Sequence, residues 1–280
     1  MRDAGSAARR RAAIRSAATL LASGLLALAA APAAAQEAER DPDAVTGSLT
    51  LGVGAGPDYE GSNDYQVLPA PGFRVNWRGY GAFSQGPALY LDLLPQAELL
   101  GGPLVGYRFG RDDVDDGRVD ALPDVDGAIE LGAFLGFSLP LGEDPRERFS
   151  AILSYSRDIS GAHDGFLISG SLSSGFVLAR PLGLTLGTSL TYASENYQDT
   201  YFGVSSAGAA ASGLRAYDPS GGLKDASLRA SLSYSLSPSW SLGPTVIYKR
   251  LLEDAADSPL VEEAGSADQF IGSLSTTWRF

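Results

Sequence analysis

The ionisable side chains of this sequence fall in two settings, and each suits a different chemistry. One set crowds segments rich in turn residues. Asp58, Glu60 and Asp64 alternate with Tyr59 and Tyr65, and Asp112, Asp113, Asp115 and Asp116 follow Arg111 before Gly117. Clustered carboxylate oxygens are hard ligands for divalent cations. The spacing does not match a calcium-binding loop. The expected role is solvated loop carboxylates. Pro57 and Gly61 fix the turns of the first of these loops. The second set is Arg108, Glu130, Asp158, Asp225, Arg229, Lys249 and Arg279, each on the polar side of an alternating segment.

Nucleophilic catalysis needs a nucleophile within reach of a base. The chain has a single histidine, His163, in Gly161-Ala162-His163-Asp164-Gly165, and no cysteine. An exposed loop histidine is the expectation there. One histidine and no thiolate leave no His- or Cys-based metal centre. No catalytic, cofactor-binding or metal-ligating residue is assigned, and the chain is read as a non-enzyme.

Alternating segments of about ten residues must position the second charge set. Along 225–236, Ala226, Leu228, Ala230, Leu232, Tyr234 and Leu236 share one face, and Asp225, Ser227, Arg229, Ser231, Ser233 and Ser235 the other. A strand separates the two sets, whereas a helix scatters them. Ile129, Leu131, Ala133, Leu135, Phe137 and Leu139 repeat the pattern, as do Leu184, Leu186, Leu190 and Tyr192. The polar faces carry Ser, Thr, Gly and the charges named above.

Short connections at 78–79, 95–101, 140–146, 179–183 and 237–239 alternate with long polar ones at 57–66, 110–126, 195–222 and 252–267, with a medium loop at 159–165 and a very short connection around Ser84–Pro87 in two long-loop positions. Short periplasmic turns opposite long external loops mark a transmembrane antiparallel β-barrel, an all-β fold. Strands are expected at 47–56, 67–77, 79–84, 87–94, 101–110, 127–139, 147–158, 165–178, 183–195, 223–236, 239–251 and 268–280. The count is twelve, or ten if 79–94 forms one bulged strand. Loop 195–222, rich in small residues, is long enough to fold inward as a plug.

The N-terminus fits export. Five arginines precede an apolar run from about Ala17 to Ala31, and Ala33-Ala34-Ala35 forms a cleavage site before Gln36. This is the pattern of a signal peptide over 1–35, leaving a polar periplasmic tail at 36–46 and a barrel at 47–280. The full chain has a net charge of −12, a poor match to nucleic acid. At the other end, Phe270, Leu274, Trp278 and Phe280 share a face, a signal suited to the barrel-assembly machinery. Trp77, Tyr80, Tyr107, Tyr155, Tyr192, Trp240 and Trp278 lie near strand ends, where aromatic girdles form.

The sequence resembles the MipA/OmpV family. Gly56-Pro57-Asp58-Tyr59-Glu60-Gly61-Ser62-Asn63-Asp64-Tyr65 with Val67-Leu68-Pro69 is similar to its first-loop motif, and Gly102-Pro103-Leu104 with Gly106-Tyr107-Arg108-Phe109-Gly110-Arg111-Asp112 to its second. Tyr201-Phe202-Gly203-Val204 and Ser212-Gly213-Leu214 resemble its long loop. Tyr248-Lys249-Arg250-Leu251-Leu252, then Asp254 to Val261, Gly265-Ser266 and Gln269-Phe270, carry the most specific likeness.

The resemblance implies an outer-membrane barrel in a Gram-negative bacterium, exported through the periplasm and surrounded by lipid and lipopolysaccharide. It also implies a scaffold that joins a lytic transglycosylase to a murein synthase, although other members are surface proteins linked to adhesion, osmotic response or antibiotic uptake. The residues themselves leave two roles open. One is a structural or interaction protein whose lumen charges form a salt-bridged network. The other is a small-solute or ion channel.

Overall fold

The computed structural model describes residues 43–96 and 98–280. The expected signal peptide, its Ala35–Gln36 cleavage site and the tail up to residue 42 lie outside the described residues. Among the described residues no helix is long and apolar enough to cross a membrane.

Thirteen strands form one antiparallel sheet that closes on itself. They are β1 (Thr46–Pro57), β2 (Tyr65–Pro69), β3 (Gly72–Trp77), β4 (Tyr80–Gln85), β5 (Ala88–Asp92), β6 (Leu99–Arg108) and β7 (Ala128–Pro140). Then come β8 (Arg148–Asp158), β9 (Phe166–Ala179), β10 (Leu182–Ala193), β11 (Gly222–Ser235), β12 (Trp240–Leu251) and β13 (Asp268–Arg279). From β3 onward each strand pairs with the next. β13 returns to β1, from Ser48 opposite Arg279 to Ala55 opposite Gly272. Gly47 N donates to Phe280 O at 3.0 Å and Phe280 N to Gly47 O at 3.1 Å, so the last residue completes the closure.

The barrel wall has twelve positions, and one of them is filled by two strands. β2 covers the Val53–Pro57 half of β1 and β3 covers the Thr46–Thr50 half. The expected single strand at 67–77 is therefore broken at Ala70 and Pro71. Pro69 and Pro71 have no N–H to give a ladder, which explains the break. The ten-strand alternative is excluded. β4 and β5 are separate partners from Gly81 opposite Asp92 to Gln85 opposite Ala88, turning at Gly86 with φ +57°.

Apolar side chains point out of this barrel, the reverse of a soluble protein. Leu135 and Leu153 are 67% and 60% exposed, and Ile129, Leu131, Leu186, Leu228 and Leu274 are exposed with them. The outward set fits a hydrocarbon surround, where only closed strands or helices satisfy every backbone group. Phe270, Leu274, Trp278 and Phe280 all lie on this outer face. Trp77, Tyr80 and Trp278 are exposed at the short-turn end, where Trp240 and Trp278 stand 6.4 Å apart. Tyr107, Tyr155 and Tyr192 are exposed at the long-loop end.

The inner face is less uniformly polar than the alternation predicts. On β4 to β8 it holds an apolar cluster of Phe83, Tyr90, Leu104 and Phe134, with Ala88, Leu100 and Ile152 against it. Phe83 stacks on Tyr90 at 5.0 Å, and Phe134 meets Tyr90 edge-on at 5.0 Å. The opposite wall, β9 to β13, presents hydroxyls, with contacts such as Ser189 to Ser227 at 2.7 Å and Ser231 to Thr245 at 2.9 Å.

The long loops are folded. They carry α1 (Gly117–Asp120), α2 (Glu195–Phe202), α3 (Ser206–Ser212), α4 (Glu253–Ala256) and α5 (Pro259–Glu262). Local chemistry sets the helix ends. Asp116 accepts from the N–H groups of Arg118 and Val119, and Ser205 from that of Gly208. Ser258 caps Leu260, with Pro259 in the first turn where its missing N–H costs nothing. Gly213, at φ +78°, ends α3 in the left-handed conformation that glycine adopts without steric cost.

These elements pack together over one end of the barrel. Tyr59, Val119, Leu122, Val204, Leu214, Leu260 and Ala264 form one core that joins four loops. Val125, Leu167, Ala193, Tyr197, Tyr201, Phe202, Leu251, Ala255 and Val261 form a second core where loops meet strand ends.

Candidate functional site at the long-loop mouth

Glu60 lies at the centre of this mouth. Its Oε1 pairs with the Lys224 ammonium and, at 3.2 Å, with Lys249, while Oε2 accepts a 2.8 Å hydrogen bond from the Tyr197 hydroxyl. Lys224 also pairs with Asp225 at 2.6 Å, and Lys249 lies 4.0 Å from the same carboxylate. Burial alone would raise the Glu60 pKa. The charges of Lys224, Lys249 and Arg108 outweigh it and hold the carboxyl well below the usual range. The Tyr197 phenol is pushed well above its ordinary value, first by burial, against the opposing charge of Arg108.

Lys224 and Asp225 are adjacent in sequence, yet both are buried. The reason is a bulge. Thr191 pairs with Asp225 and Tyr192 with Leu223, so Lys224 is the extra residue. A bulge re-aims a side chain that strict alternation would send outward.

Helix α2 fills the mouth. Tyr197, Gln198, Tyr201 and Phe202 are all buried. Tyr197 lies under the Arg108 guanidinium at 5.1 Å and the Lys224 ammonium at 5.4 Å, both cation–π distances. Arg111 donates to Tyr201 O at 3.0 Å and Ser258 to Phe202 O at 2.6 Å, satisfying carbonyls at the helix C-terminus. Loop 195–222 thus turns inward.

Arg108 pairs with Glu130 at 2.7 Å, and Ser156 donates to the same carboxylate at 2.9 Å. His163 is buried, not exposed as expected of a loop histidine. Its Nε2 lies 3.5 Å from Glu130 Oε1, its Nδ1 accepts from Gly165 N at 3.0 Å, and its ring packs 5.1 Å from Tyr197. Asp158 organises the adjacent loop, accepting from Ser160 N, His163 N and Asp164 N at 2.8, 2.7 and 3.0 Å.

Of the charges expected in the lumen, Arg108, Glu130, Asp225 and Lys249 converge here, and Asp158 serves the loop beside them. Arg229 and Arg279 stand apart from this network. Two central members, Glu60 and Lys224, escape sequence reasoning. Glu60 sits in a loop, and Lys224 breaks the two-residue period.

The acidic run after Arg111 has structural work. Asp116 caps α1, and Asp115 N donates to Asp58 at 3.2 Å. Tyr59, buried beneath it, has its phenol pushed up to about 12, by burial first and then by Asp116. Among the described residues no three His, Cys, Asp or Glu side chains gather as a metal centre. The mouth is an ionic and aromatic lock, although the buried Gln198 amide and Tyr201 hydroxyl have no hydrogen-bond partner among the described residues.

Comparison with known proteins gives the chain its relatives. It is similar to the MltA-interacting proteins of Escherichia coli (strain K12) and Shigella flexneri, 36% identical to each over 101 residues. That stretch is 35% of this chain and 38% of each relative, so the match spans about two fifths of their length. Among solved structures, the NanC porin aligns with 83% of this chain and all of its own, at TM-score 0.45 and 11% identity. An outer membrane channel of Pseudomonas putida aligns with 89% of this chain and all of its own, at TM-score 0.45 and 12% identity. The model of the family described as MltA-interacting protein MipA matches residues 49–280, and the chain belongs to that family.

Proposed function

We propose that this protein is an outer-membrane barrel whose work is structural: it anchors partners at the membrane and does not catalyse a reaction. The observation that carries the reading is the closed mouth, where α2 and the Glu60 network fill the long-loop end of the lumen beneath a packed cap of four loops. A barrel sealed in this way suits docking better than transport. The short-turn end faces the periplasm, and the partners are a lytic transglycosylase and a murein synthase. The lytic enzyme is suggested by the name of the relatives, MltA-interacting protein. Export uses residues 1–35, insertion uses the barrel-assembly machinery reading Phe270 to Phe280, and the outer belt contacts lipid and lipopolysaccharide.

Affinity purification from cross-linked envelopes at native abundance tests the reading. Recovery of a transglycosylase with a murein synthase supports it, and recovery of neither overturns it.

A second reading, a small-solute channel, draws on the polar wall of β9 to β13. Planar-bilayer recording separates the two. The closed mouth predicts no conductance steps in the intact protein, and regular steps would favour the channel.

A further inference from the structure

Below the lock, the barrel carries arginines that form no ion pair among the described residues. Arg229 points into the lumen from the middle of β11. Its one hydrogen bond is from Nε to Ser231 Oγ at 3.3 Å, and it remains exposed although the wall surrounds it. Arg74 and Arg279 both register opposite Ser48, on the two sides of β1. Their Cα atoms are therefore two strand spacings apart, about 10 Å. Arg148 donates to the Ser138 hydroxyl at 2.9 Å and to the Ser138 carbonyl. None of the four has an ion-pair partner among the described residues. Asp92, on this part of the wall, acts on Arg74 electrostatically without forming an ion pair, and its Oδ1 accepts from Leu94 N and Gly101 N at 3.2 and 2.9 Å.

This arrangement is unexpected in a chain of net charge −12. The chain is rich in acids, and at the mouth they pair with other cations: Glu60 and Asp225 with Lys224, and Glu130 with Arg108. An unpaired charge inside a protein persists where water or a ligand solvates it. The Arg74 guanidinium is also preorganised, lying 4.4 Å over the Phe83 ring, which the buried Tyr90 and Phe134 hold in place.

We infer that the lower lumen is a dead-end chamber, entered from the short-turn end, that binds small organic anions bearing hydroxyl groups. Arg74, Arg148, Arg229 and Arg279 supply the positive field and forked donors suited to a carboxylate or phosphate. The hydroxyls of Ser231, Thr245 and Thr277 supply partners for the rest of the molecule. Describing the entrance as periplasmic rests on the orientation proposed above, but the binding itself does not.

Calorimetric titration of the full chain in neutral detergent tests the chamber. Glucuronate and glucose 6-phosphate are the anionic probes and glucose the neutral one. The expected result is binding of at least one anion, weakening as salt rises, with no binding of glucose. Arg74→Gln and Arg229→Gln each weaken it at least tenfold. Arg157→Gln, a charge loss on the outer face, leaves it unchanged. Heat-modifiable gel migration confirms that each variant is a closed barrel.

The entrance is tested by attaching a bulky maleimide to an introduced cysteine, since the chain has none of its own. Labelled Asn76→Cys, at the short-turn end, blocks binding, and labelled Asp218→Cys, among the long loops, does not. Failure of both anions to bind at low salt overturns the proposal, as does equal binding by the Arg74, Arg229 and Arg157 variants. A failed pull-down of murein enzymes leaves this titration untouched, so the two readings fail separately.

Discussion

The Tyr197 hydroxyl donates a 2.8 Å hydrogen bond to Glu60, across 137 residues of sequence. It ties the helix that fills the mouth to the first loop, and the same carboxylate gathers Lys224 and Lys249 from the wall. Glu60→Gln leaves two ammonium groups short of a counter-charge. Breaking a buried pair this way costs about 3–5 kcal/mol. Tyr197→Phe removes one bond to a charged group, about 1.5–3 kcal/mol. Both losses fall on the cap, so they are read as faster hydrogen exchange and faster proteolysis of 195–221, greater for Glu60→Gln. Unchanged exchange in both variants would refute the lock.

Acid should loosen the same cap. The Glu60 pKa is held below its ordinary 4.5 in the folded protein. A depressed carboxyl stabilises the fold above its unfolded value, and the contribution fades as pH falls toward the folded one. Protease resistance of 195–221 is therefore flat from pH 7 to about 5 and declines below about 4.5. Glu60→Gln abolishes that decline. A decline that persists in the variant assigns it to other carboxylates.

Replacing residues 195–221 with a short turn removes α2 from the mouth. The expected outcome in a planar bilayer is silence from the intact protein and stepwise conductance from the shortened one. Silence from a correctly folded shortened barrel would mean that the remaining loops, or the lumen itself, are sufficient to close it.

Phe134 and Leu135 are neighbours with opposite surroundings. Phe134→Ala opens a hole in the inner aromatic cluster and costs about 3–5 kcal/mol. Leu135 faces outward, where an arginine near the bilayer centre costs about 2–4 kcal/mol. Urea unfolding from lipid vesicles measures both. A Leu135→Arg barrel as stable as the parent would contradict the assignment of inner and outer faces.

The strand pattern made most of this architecture legible. Alternation over 128–140 or 225–236 fixes which side chains face lipid, because a strand has a period of two and a hydrocarbon surround admits few polar groups. Loop lengths set the twelve-position wall and put both ends of the barrel at its short-turn end. Four of the mouth charges, Arg108, Glu130, Asp225 and Lys249, could be named from their place on the polar faces.

Tertiary structure decided the rest, and each case has a local cause. Pro69 and Pro71 split one strand in two. A bulge turns Lys224 inward against the alternation. Glu60 sits in a loop, where no periodicity marks it, and becomes a centre because the barrel brings β11, β12 and α2 around it. His163 is buried by Tyr197 and Tyr201, some 35 residues away in sequence. Sequence sets what each strand shows to lipid or lumen. Which lumen charges meet, and which arginines are left unpaired, depends on the register around a closed barrel.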